Sequence, residues 1–576
     1  MSEVFDVDLL IVGAGPVGLT ASIMASKLGI DHQVLERREG LHELPQAHVI
    51  KTRSMEIFRR LGIEQEIHAI GTPHAEQRYT CWCETLTGYE YGRLDLNDKK
   101  GPVPRFLSVS PTYPANLPQN RLEPIIFAKA RELADDRIRF RTEVDGVVQD
   151  STGVTVQVTD PAGAEQTLRA RYLIAADGAG SGIRRSLGIA FEGPSMLAQF
   201  CSIHLKSDFR PLVQDRPGVL YWILNPDVQG VFIVHDMRDC QVFMVPYNPE
   251  VMKASDFDMD RCRALVESAL GVNHPFEITC IDHWTMSAQV AKHYRKDRVF
   301  LVGDAAHRFP PTGGLGMNTG IQDVNNLLWK LDAVLKGRTS ESLLDSYEEE
   351  CRPIARYNRD RSAQNHQSMA EVQELIGVGS DKASFRGSLE ALFSPGGETR
   401  LAAVQNAIKK QIRHFAYMDV EMAPVYATGA FGASVLPIDN GNPLFEGYAP
   451  NVNPGSGLPH LYLEEGRSTL DAVSHNALTV FVPAGQARRW RTAVDAAADR
   501  NPLPMKVIEI TPVAAEQWRN LCGNLDLVVV VRPDGHVGWA CDAGTERPEQ
   551  ELEAAIAAIM GAAAPLQDDS NMKGGV

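Results

Sequence analysis

A strand–turn–helix pattern near the start of the chain constrains its fold more than any other feature of the sequence. Residues 7–12 form a short apolar run, and residues 17–28 have apolar side chains at helical spacing. Between them lies a G-x-G-x-x-G turn made of Gly13, Gly15, Pro16, Val17 and Gly18. Such a turn points backbone N–H groups and a helix dipole at a pyrophosphate. The pattern predicts a Rossmann-like unit that binds a dinucleotide, with a glycine-rich structural turn as the alternative.

An acidic residue at the end of the next strand-like segment supports the dinucleotide interpretation. Residues 32–35 indicate a second strand, and Glu36 follows them near the offset at which a carboxylate accepts from ribose hydroxyls. A 2′-phosphate at this place would be repelled by the carboxylate. We therefore expect Glu36 to bind the adenosine ribose.

A second glycine-rich segment lies far downstream and brings another acidic residue. Gly303 and Asp304 lead into a run of small residues over 310–318, which lets this backbone approach the same ligand closely. Since one dinucleotide is then held from two distant parts of the chain, we expect tightly bound FAD instead of passing NAD. The residues expected to contact FAD here are Gly303, Asp304, Pro311, Gly314, Leu315, Gly316, Met317 and Asn318.

Composition narrows the possible partners. A chain of 576 residues is expected to form two or three domains, and its net charge of −16 argues against nucleic acid. No apolar run approaches the roughly 20 residues that span a bilayer, and the N-terminus lacks the features of a secretory signal. The nine cysteines contain no C-x-x-C pair, which indicates reduced thiols and no metal site. We expect a cytoplasmic protein that does not bind a membrane.

The order of helical and strand-like segments predicts an α/β fold of several domains. We expect a discontinuous Rossmann-like FAD-binding domain interleaved with a β-rich substrate domain, and a substrate site at their interface. Residues 377–400 are rich in Gly, Ser and charge and are predicted to form a loop. The predicted bounds are 1–78, 119–196 and 282–395 for the FAD-binding domain, 79–118 and 197–281 for the substrate domain, 396–440 for a connector, 441–563 for a C-terminal domain and 564–576 for a disordered tail.

The C-terminal domain shows a pattern of its own. Residues 477–482, 505–510 and 525–531 read as strands with helices between them, and a turn at 533–536 leads into another strand. This order favours a thioredoxin-like fold. Without a C-x-x-C pair, we expect no thiol redox activity from it.

A third motif completes a set that resembles a known family. Asp177 and Gly178, with Arg184 after them, follow a strand-like segment and precede the second glycine-rich segment. Together the three motifs resemble those of the FAD-dependent aromatic hydroxylases of the phenol hydroxylase type, over nearly the full length of the chain. The resemblance implies that Asp177, Gly178, Arg37, Gln46 and Gln119 also contact FAD. The sequence departs from the family at Gln46, where Arg or Lys is common, and at Leu315, where many relatives have Gln.

The resemblance also implies an activity. NADH or NADPH would reduce the flavin, and O2 would then give a flavin C4a-hydroperoxide that hydroxylates a small phenolic substrate. A homodimer is the oligomeric state expected. The alternatives are hydroxylation or Baeyer–Villiger oxidation of a polyketide or quinone, an oxidase that releases H2O2, and a flavin-binding scaffold protein.

A phenol reacts faster as phenolate, so the site needs a base close to the substrate hydroxyl. His48 stands where the similar phenol hydroxylase segment has Asp, and its side chain titrates near neutrality. We expect His48 to be this base, with a structural histidine as the alternative. Candidate pocket residues are Tyr221, Trp222, His235 and Pro310, although aromatic residues on strands are more often part of the core.

Overall fold

The computed structural model describes residues 5–96, 106–160, 162–379, 381–415, 418–422, 424–433, 448–498 and 503–561. In chain order the strands are β1 Val7–Val12, β2 His32–Leu35, β3 Val49–Ile50, β4 Tyr79–Cys83, β5 Glu90–Asp95, β6 Ala115–Asn116, β7 Ile138–Arg139, β8 Glu143–Gln149, β9 Val154–Thr159, β10 Glu165–Ala175, β11 Phe191–Glu192, β12 Ala198–Lys206, β13 Gly218–Leu224, β14 Gln229–Asp236, β15 Cys240–Tyr247, β16 Glu277–Met286, β17 Gln289–Ala291, β18 Arg295–Lys296, β19 Val299–Leu301, β20 His307–Arg308, β21 Tyr462–Glu464, β22 Arg467–Ser468, β23 Leu478–Val482, β24 Met505–Glu509, β25 Leu527–Val531 and β26 Val537–Asp542. The α-helices are α1 Pro16–Leu28, α2 Thr52–Leu61, α3 Glu64–Ile70, α4 Gln119–Leu133, α5 Gly182–Ser186, α6 Met259–Leu270, α7 Gly316–Leu335, α8 Ser346–Ile376, α9 Lys382–Phe393, α10 Glu398–Lys410, α11 Met418–Met422, α12 Thr469–Ala472, α13 Ala487–Ala498, α14 Ala515–Leu521 and α15 Pro548–Met560.

A parallel sheet of the Rossmann type forms the centre of the first domain. Its order is β18-β19-β10-β1-β2-β7, and β19, β10, β1, β2 and β7 run parallel. The predicted βαβ unit is confirmed as β1, α1 and β2, with Pro16 in the first turn of α1, where its missing N–H costs nothing. Both glycine-rich motifs follow the carboxyl ends of parallel strands, β1 and β19, which is where open α/β sheets bind ligands.

A seven-stranded, mostly antiparallel sheet lies beside the first domain. Its order is β16-β12-β15-β14-β13-β4-β5, so its strands come from two separate stretches of the chain. One face packs on α6 through a buried core that includes Phe209, Phe232, Phe243 and Cys262. Alternate residues point to the other face, which meets the first domain. The domain bounds given above stay predictions, and β6 pairs with β3 instead of joining this sheet.

Residues 377–400 do not form the predicted loop, and that prediction is wrong. Gly377 ends α8 with a φ of +102°, and Asp381 accepts hydrogen bonds from the backbone N–H groups of Ala383 and Ser384 at the start of α9. The Gly and Ser residues therefore mark helix ends. Helices α9 and α10 bury apolar side chains against α8 and against the β4–β5 hairpin, namely Phe385, Leu389, Leu392, Val404 and Ile408.

The C-terminal domain has the predicted thioredoxin-like order. Its sheet is β24-β23-β25-β26, with β23 and β24 parallel and the other pairs antiparallel. Helices α13 and α15 cover one face through Trp490 and Ile556, while Trp518 of α14 and Leu470 of α12 cover the other. Residues 564–576, predicted to be a disordered tail, lie outside the described residues, as does part of the predicted connector.

A buried ion network joins the C-terminal domain to α7 and α8. Arg532, which follows β25, donates two hydrogen bonds to Glu350 of α8 at 2.7 and 2.8 Å. Lys330 of α7 donates to the same carboxylate at 2.8 Å, and all three side chains are fully buried. Although burial alone raises the pKa of Glu350, the two cations lower it to about 2. The carboxylate is therefore ionised. Arg532 also pairs with the buried Asp534, so two cations balance two carboxylates and removal of either cation would leave an uncompensated buried charge.

Membrane crossing, metal binding and thiol state can be examined for the described residues. None of the helices in these ranges combines the length and apolar composition that a membrane crossing requires. No three His, Cys, Asp or Glu side chains within them are placed to hold a metal ion. All nine cysteines lie in the described ranges as free thiols, and seven of them are buried.

Candidate active site

The three glycines of the first turn have different surroundings. Gly13 has a φ of +107°, and a Cβ there would lie 2.2 Å from the carbonyl oxygen of Ala176. A Cβ on Gly18 would lie 1.9 Å from the carbonyl oxygen of Gly13. Around the position that a Cβ of Gly15 would take, no heavy atom of the described residues outside the immediate chain lies within 4 Å. Gly13 and Gly18 thus allow tight packing, while Gly15 leaves the backbone open for a pyrophosphate to approach.

Glu36 is buried at the end of β2 and faces the turn. Its carboxylate accepts from Ala14 N at 2.8 Å, from Arg38 N at 2.9 Å and from Arg38 Nε at 3.0 Å. Burial raises the pKa of Glu36, but the hydrogen bonds from Arg38 and Ala14 outweigh it and lower the pKa overall. Glu36 is therefore an ionised acceptor, as a ribose-binding carboxylate must be.

Asp177 and Gly178 follow β10, next to the first turn. Asp177 Oδ2 accepts from Ile183 N at 3.2 Å, whereas Oδ1 is buried with no hydrogen-bond partner in the described ranges. Burial raises the pKa of this carboxyl. Gly178 has a φ of +78°, and the space that a Cβ would enter is open to 4 Å. An orphaned buried oxygen beside open backbone fits a polar group of a bound cofactor.

The second motif packs directly against the first. A Cβ on Gly320 of α7 would lie 2.9 Å from the Cα of Gly303 and 2.7 Å from Cγ2 of Val17. Gly303 N donates to Asp323 Oδ2 at 3.0 Å, and Nε2 of the fully buried His307 is hydrogen-bonded to the same oxygen at 3.0 Å. These contacts fix the turn after β19 onto the start of α1. Both glycine-rich motifs therefore border one site.

Asp304 lies in this turn with an exposed side chain. Protein atoms around the turn raise the pKa of its carboxyl by desolvation, and His307 and Arg308 oppose this in part. This placement suits the predicted hydrogen bond to a hydroxyl of FAD.

The N-terminus of α7 lies against the segment that carries His48. Asn318 Oδ1 accepts from Lys51 N at 2.8 Å, and Asn318 Nδ2 donates to Val49 O at 2.9 Å and to Gly314 O at 2.7 Å. Since these bonds occupy the Asn318 side chain, its backbone N–H is the group left for the predicted contact to a flavin. A Cβ of Gly316 would enter open space. The first-turn amides of a 20-residue helix suit negative charge on a reduced flavin.

The other residues expected to contact FAD differ in exposure. Arg37, Gln46 and Pro311 are exposed, Met317 and Gln119 are half-buried, and Leu315 is buried. Gln119 N donates to Ala47 O at 2.8 Å, which holds the start of α4 beside the His48 segment. Their contacts to FAD stay predictions.

His48 lies half-buried where the first domain meets the seven-stranded sheet. Its Nδ1 is hydrogen-bonded to Asn116 Oδ1 at 2.6 Å, and its ring centroid lies 4.8 Å from that of His235 on β14. Burial lowers the pKa of His48, and Asn116 opposes this only in part. With Nδ1–H donating to Asn116, a neutral His48 presents Nε2 as a free acceptor, which is the state required of a base.

The face of the seven-stranded sheet opposite α6 forms a mostly apolar wall. The alternation of side chains places on this face Phe200, Ser202, His204, Leu220, Trp222, Val231, Ile233, His235, Met244 and Trp284. His235 brings the wall against His48. Leu220, Trp222, Ile233 and Trp284 are only half-buried, so this face keeps accessible apolar surface. Pro310 is buried in the turn before α7.

Tyr221 is not a pocket residue, and its assignment is corrected. Its side chain points to the opposite face, into the core with Phe232 and Cys81, and its hydroxyl donates to Arg216 O at 2.7 Å. Trp222, one residue later, faces the wall, as the period of two along a strand requires. Sequence alone could not assign the faces, because both residues are aromatic.

The sequence did not predict the places of His204 and Asn116 at the site. His204 lies on the wall. Phe200, Ser202 and His204 follow one another at intervals of two along one strand, and this spacing is the signal that places His204 on the same face. Asn116 is 68 residues from His48 in the chain, and no sequence pattern links them.

Comparison with known proteins agrees with this geometry. Residues 6–362 match the model of the FAD binding domain family, and residues 451–563 match that of the aromatic-ring hydroxylase C-terminal domain. The chain belongs to the FAD-dependent aromatic-ring hydroxylases. The first match covers both glycine-rich motifs, Asp177 and His48. All of these residues therefore lie within the FAD-binding domain of this hydroxylase.

Individual relatives of this hydroxylase align over almost its whole length. It is 30% identical to 2,4-dichlorophenol 6-monooxygenase of Delftia acidovorans, over 97% of this chain and 99% of that one. It is 33% identical to a putative polyketide hydroxylase of Streptomyces halstedii, over 92% and 93% of the two chains. The flavin-dependent monooxygenase PieE, solved with FAD and substrate, superposes with a TM-score of 0.90 at 30% identity, covering 97% of this hydroxylase and all of PieE.

Proposed function

We propose that this hydroxylase uses NADH or NADPH and O2 to add a hydroxyl group to a phenolic ring, with His48 as the base. When bound and reduced, FAD supplies the electrons that activate O2 for insertion into an aromatic ring. Glu36, Asp177, Asp304 and the two glycine-rich turns would hold the cofactor. The homodimer and the cytoplasmic location expected from the sequence stay predictions.

The observation that carries the proposal is the setting of His48. A phenol hydroxyl has a pKa of about 10, like that of tyrosine, so it needs a base to react as phenolate near neutrality. Asn116 directs the His48 ring so that Nε2 is the nitrogen left to accept a proton. With a substrate bound, the apolar side chains of the wall would keep water away from the reacting oxygen species.

The proposal is tested by anaerobic reduction of the purified, FAD-containing protein with NADH and with NADPH, in the presence of a panel of phenols. We expect one nucleotide to reduce the flavin and one class of phenol to accelerate that step, followed by a catechol-type product when oxygen is admitted. Failure of both nucleotides to reduce the flavin would contradict the proposal.

A second candidate is the same flavin chemistry on a polyketide or quinone-type substrate, by hydroxylation or Baeyer–Villiger oxidation. The breadth of the wall, with side chains from five strands, favours it, as does the similarity to a putative polyketide hydroxylase. Reduction that is accelerated by a quinone or a cyclic ketone, but by no phenol, would favour this candidate.

A further inference from the structure

Two histidines of the wall have ring nitrogens without partners. His204 is 5% exposed, and neither its Nδ1 nor its Nε2 has a hydrogen-bond partner within the described part of the chain. His235 is 1% exposed, and the same holds for its Nδ1. Buried polar groups in folded proteins are almost always hydrogen-bonded, so each such exception calls for an explanation.

Both histidines lie on the wall face of the sheet, on two strands separated by β15. His204 on β12 pairs with Val242 on β15, and Val242 pairs in turn with Ile233, two residues before His235 on β14. His235 then meets the ring of His48. A ring substrate between the wall and His48 would therefore have His204 and His235 on the side away from the first domain.

The surroundings favour a neutral group as the partner of these rings. Burial lowers the pKa of both His204 and His235, and each is uncharged at neutral pH. Arg121, the cation that affects His235, is already paired with Asp236 at 2.9 Å and with Asp239 at 3.0 Å. An anionic substituent would lose its hydration without gaining a free cation. A methyl group or a chlorine would leave the imidazoles unsatisfied.

We propose that His204 and His235 form a subsite that hydrogen-bonds a second oxygen substituent of the substrate, a hydroxyl or a carbonyl, distinct from the hydroxyl that meets His48. A neutral imidazole offers one donor and one acceptor, so it serves either group. The inference rests on the proposed function and narrows its substrate class to phenols that carry another ring oxygen.

The test is the equilibrium affinity of the oxidised, FAD-containing protein for pairs of ligands. Binding is monitored by the change in flavin absorbance. The ligands are dihydroxybenzenes and dihydroxynaphthalenes, each paired with the methyl analogue in which one hydroxyl is replaced. We expect at least one dihydroxy isomer to bind about tenfold or more tightly than its methyl analogue. In His204→Leu this ratio falls to about one, and His204→Gln, which keeps a donor and an acceptor, retains part of it.

A matched control is His283→Leu. His283 lies on β16 of the same sheet, but its ring packs against Tyr247 and Phe257 on the α6 side. We expect this variant to keep the wild-type ratio. If His204→Leu lowers the affinity for both ligands of a pair equally, His204 has a structural role and the subsite is overturned.

The wild-type ratios decide the question even if His204→Leu does not retain FAD. A ratio near one for every pair overturns the inference. If methylphenols are then still hydroxylated with NAD(P)H consumption, the proposed function stands without this subsite. If no phenol of either kind changes the flavin absorbance or accelerates flavin reduction, the proposed function itself fails.

Discussion

Replacing His48 by alanine is expected to slow ring hydroxylation by about 10²–10⁴-fold, the usual contribution of a positioned base. FAD should stay bound, because the His48 side chain bonds to Asn116 and packs on His235, while Asn318 holds this segment through main-chain atoms of Val49 and Lys51. NAD(P)H should still be oxidised, with its electrons released as H2O2 instead of entering product. The measurement is the ratio of hydroxylated product to NAD(P)H consumed.

The pH dependence separates a base from a structural histidine. Because burial lowers the pKa of His48, wild-type hydroxylation should persist below the ordinary histidine pKa of about 6.5 and be lost as the pH falls through the lowered value. This acid limb should be absent from the residual activity of His48→Ala. Tyr221→Phe, which alters the opposite face of the sheet, should keep the wild-type profile. A well-coupled His48→Ala enzyme would rule out the assignment.

Alanine at Gly15 and at Gly18 should have opposite consequences for stability and cofactor binding. Gly15 has a φ of −76° and open space beside it, so Gly15→Ala should leave the fold intact within about 0.5 kcal/mol. It should weaken FAD binding by about tenfold or more, because the methyl group enters the place where the pyrophosphate approaches. The measurements are FAD affinity and chemical unfolding of the FAD-free protein.

Gly18→Ala should instead destabilise the protein itself. Helix propensity alone would favour alanine in α1 by about 1 kcal/mol. The new Cβ would however lie 1.9 Å from Gly13 O, and relieving this overlap is expected to cost about 1–3 kcal/mol or more. The reverse pattern, a stable Gly18→Ala protein and an unfolded Gly15→Ala protein, would contradict the division of tasks among these glycines.

Local patterns were enough to predict the turns that border the expected cofactor site. The turn at Gly13–Gly18, the position of Glu36 and the Gly303–Asp304 turn each follow directly from strand and helix signals, since each motif is continuous in sequence. The structure adds that Gly320 and Val17 bring the two turns together. The thioredoxin-like order was likewise predictable from four regular strand patterns.

The substrate half depends on long-range contacts that no local pattern contains. The partner of His48 lies 68 residues away, and the wall draws side chains from separate strands. Tyr221 and Trp222 are adjacent on one strand, and the pairing of that strand decides which of them faces the wall. The assignment of Tyr221 to the pocket was therefore wrong. The helices within residues 377–400 were not predicted, because Gly377 and Asp381 are residue types that are common in loops. Packing on α8, which no local pattern contains, stabilises these helices.

The ion network of Arg532, Glu350 and Lys330 was also beyond sequence reasoning. It fixes the C-terminal domain to α7, the helix whose first turn faces the predicted flavin site. The C-terminal domain is therefore anchored to α7 and α8, and its lack of thiol redox activity stays a prediction.

Turnover under ¹⁸O2 with the preferred nucleotide tests the central claim most directly. The account predicts one ¹⁸O atom in each molecule of hydroxylated product, with about one NAD(P)H consumed per product, and no label from H2¹⁸O. Product without ¹⁸O, or NAD(P)H oxidation that yields only H2O2 with every substrate that stimulates it, would contradict ring monooxygenation by this protein.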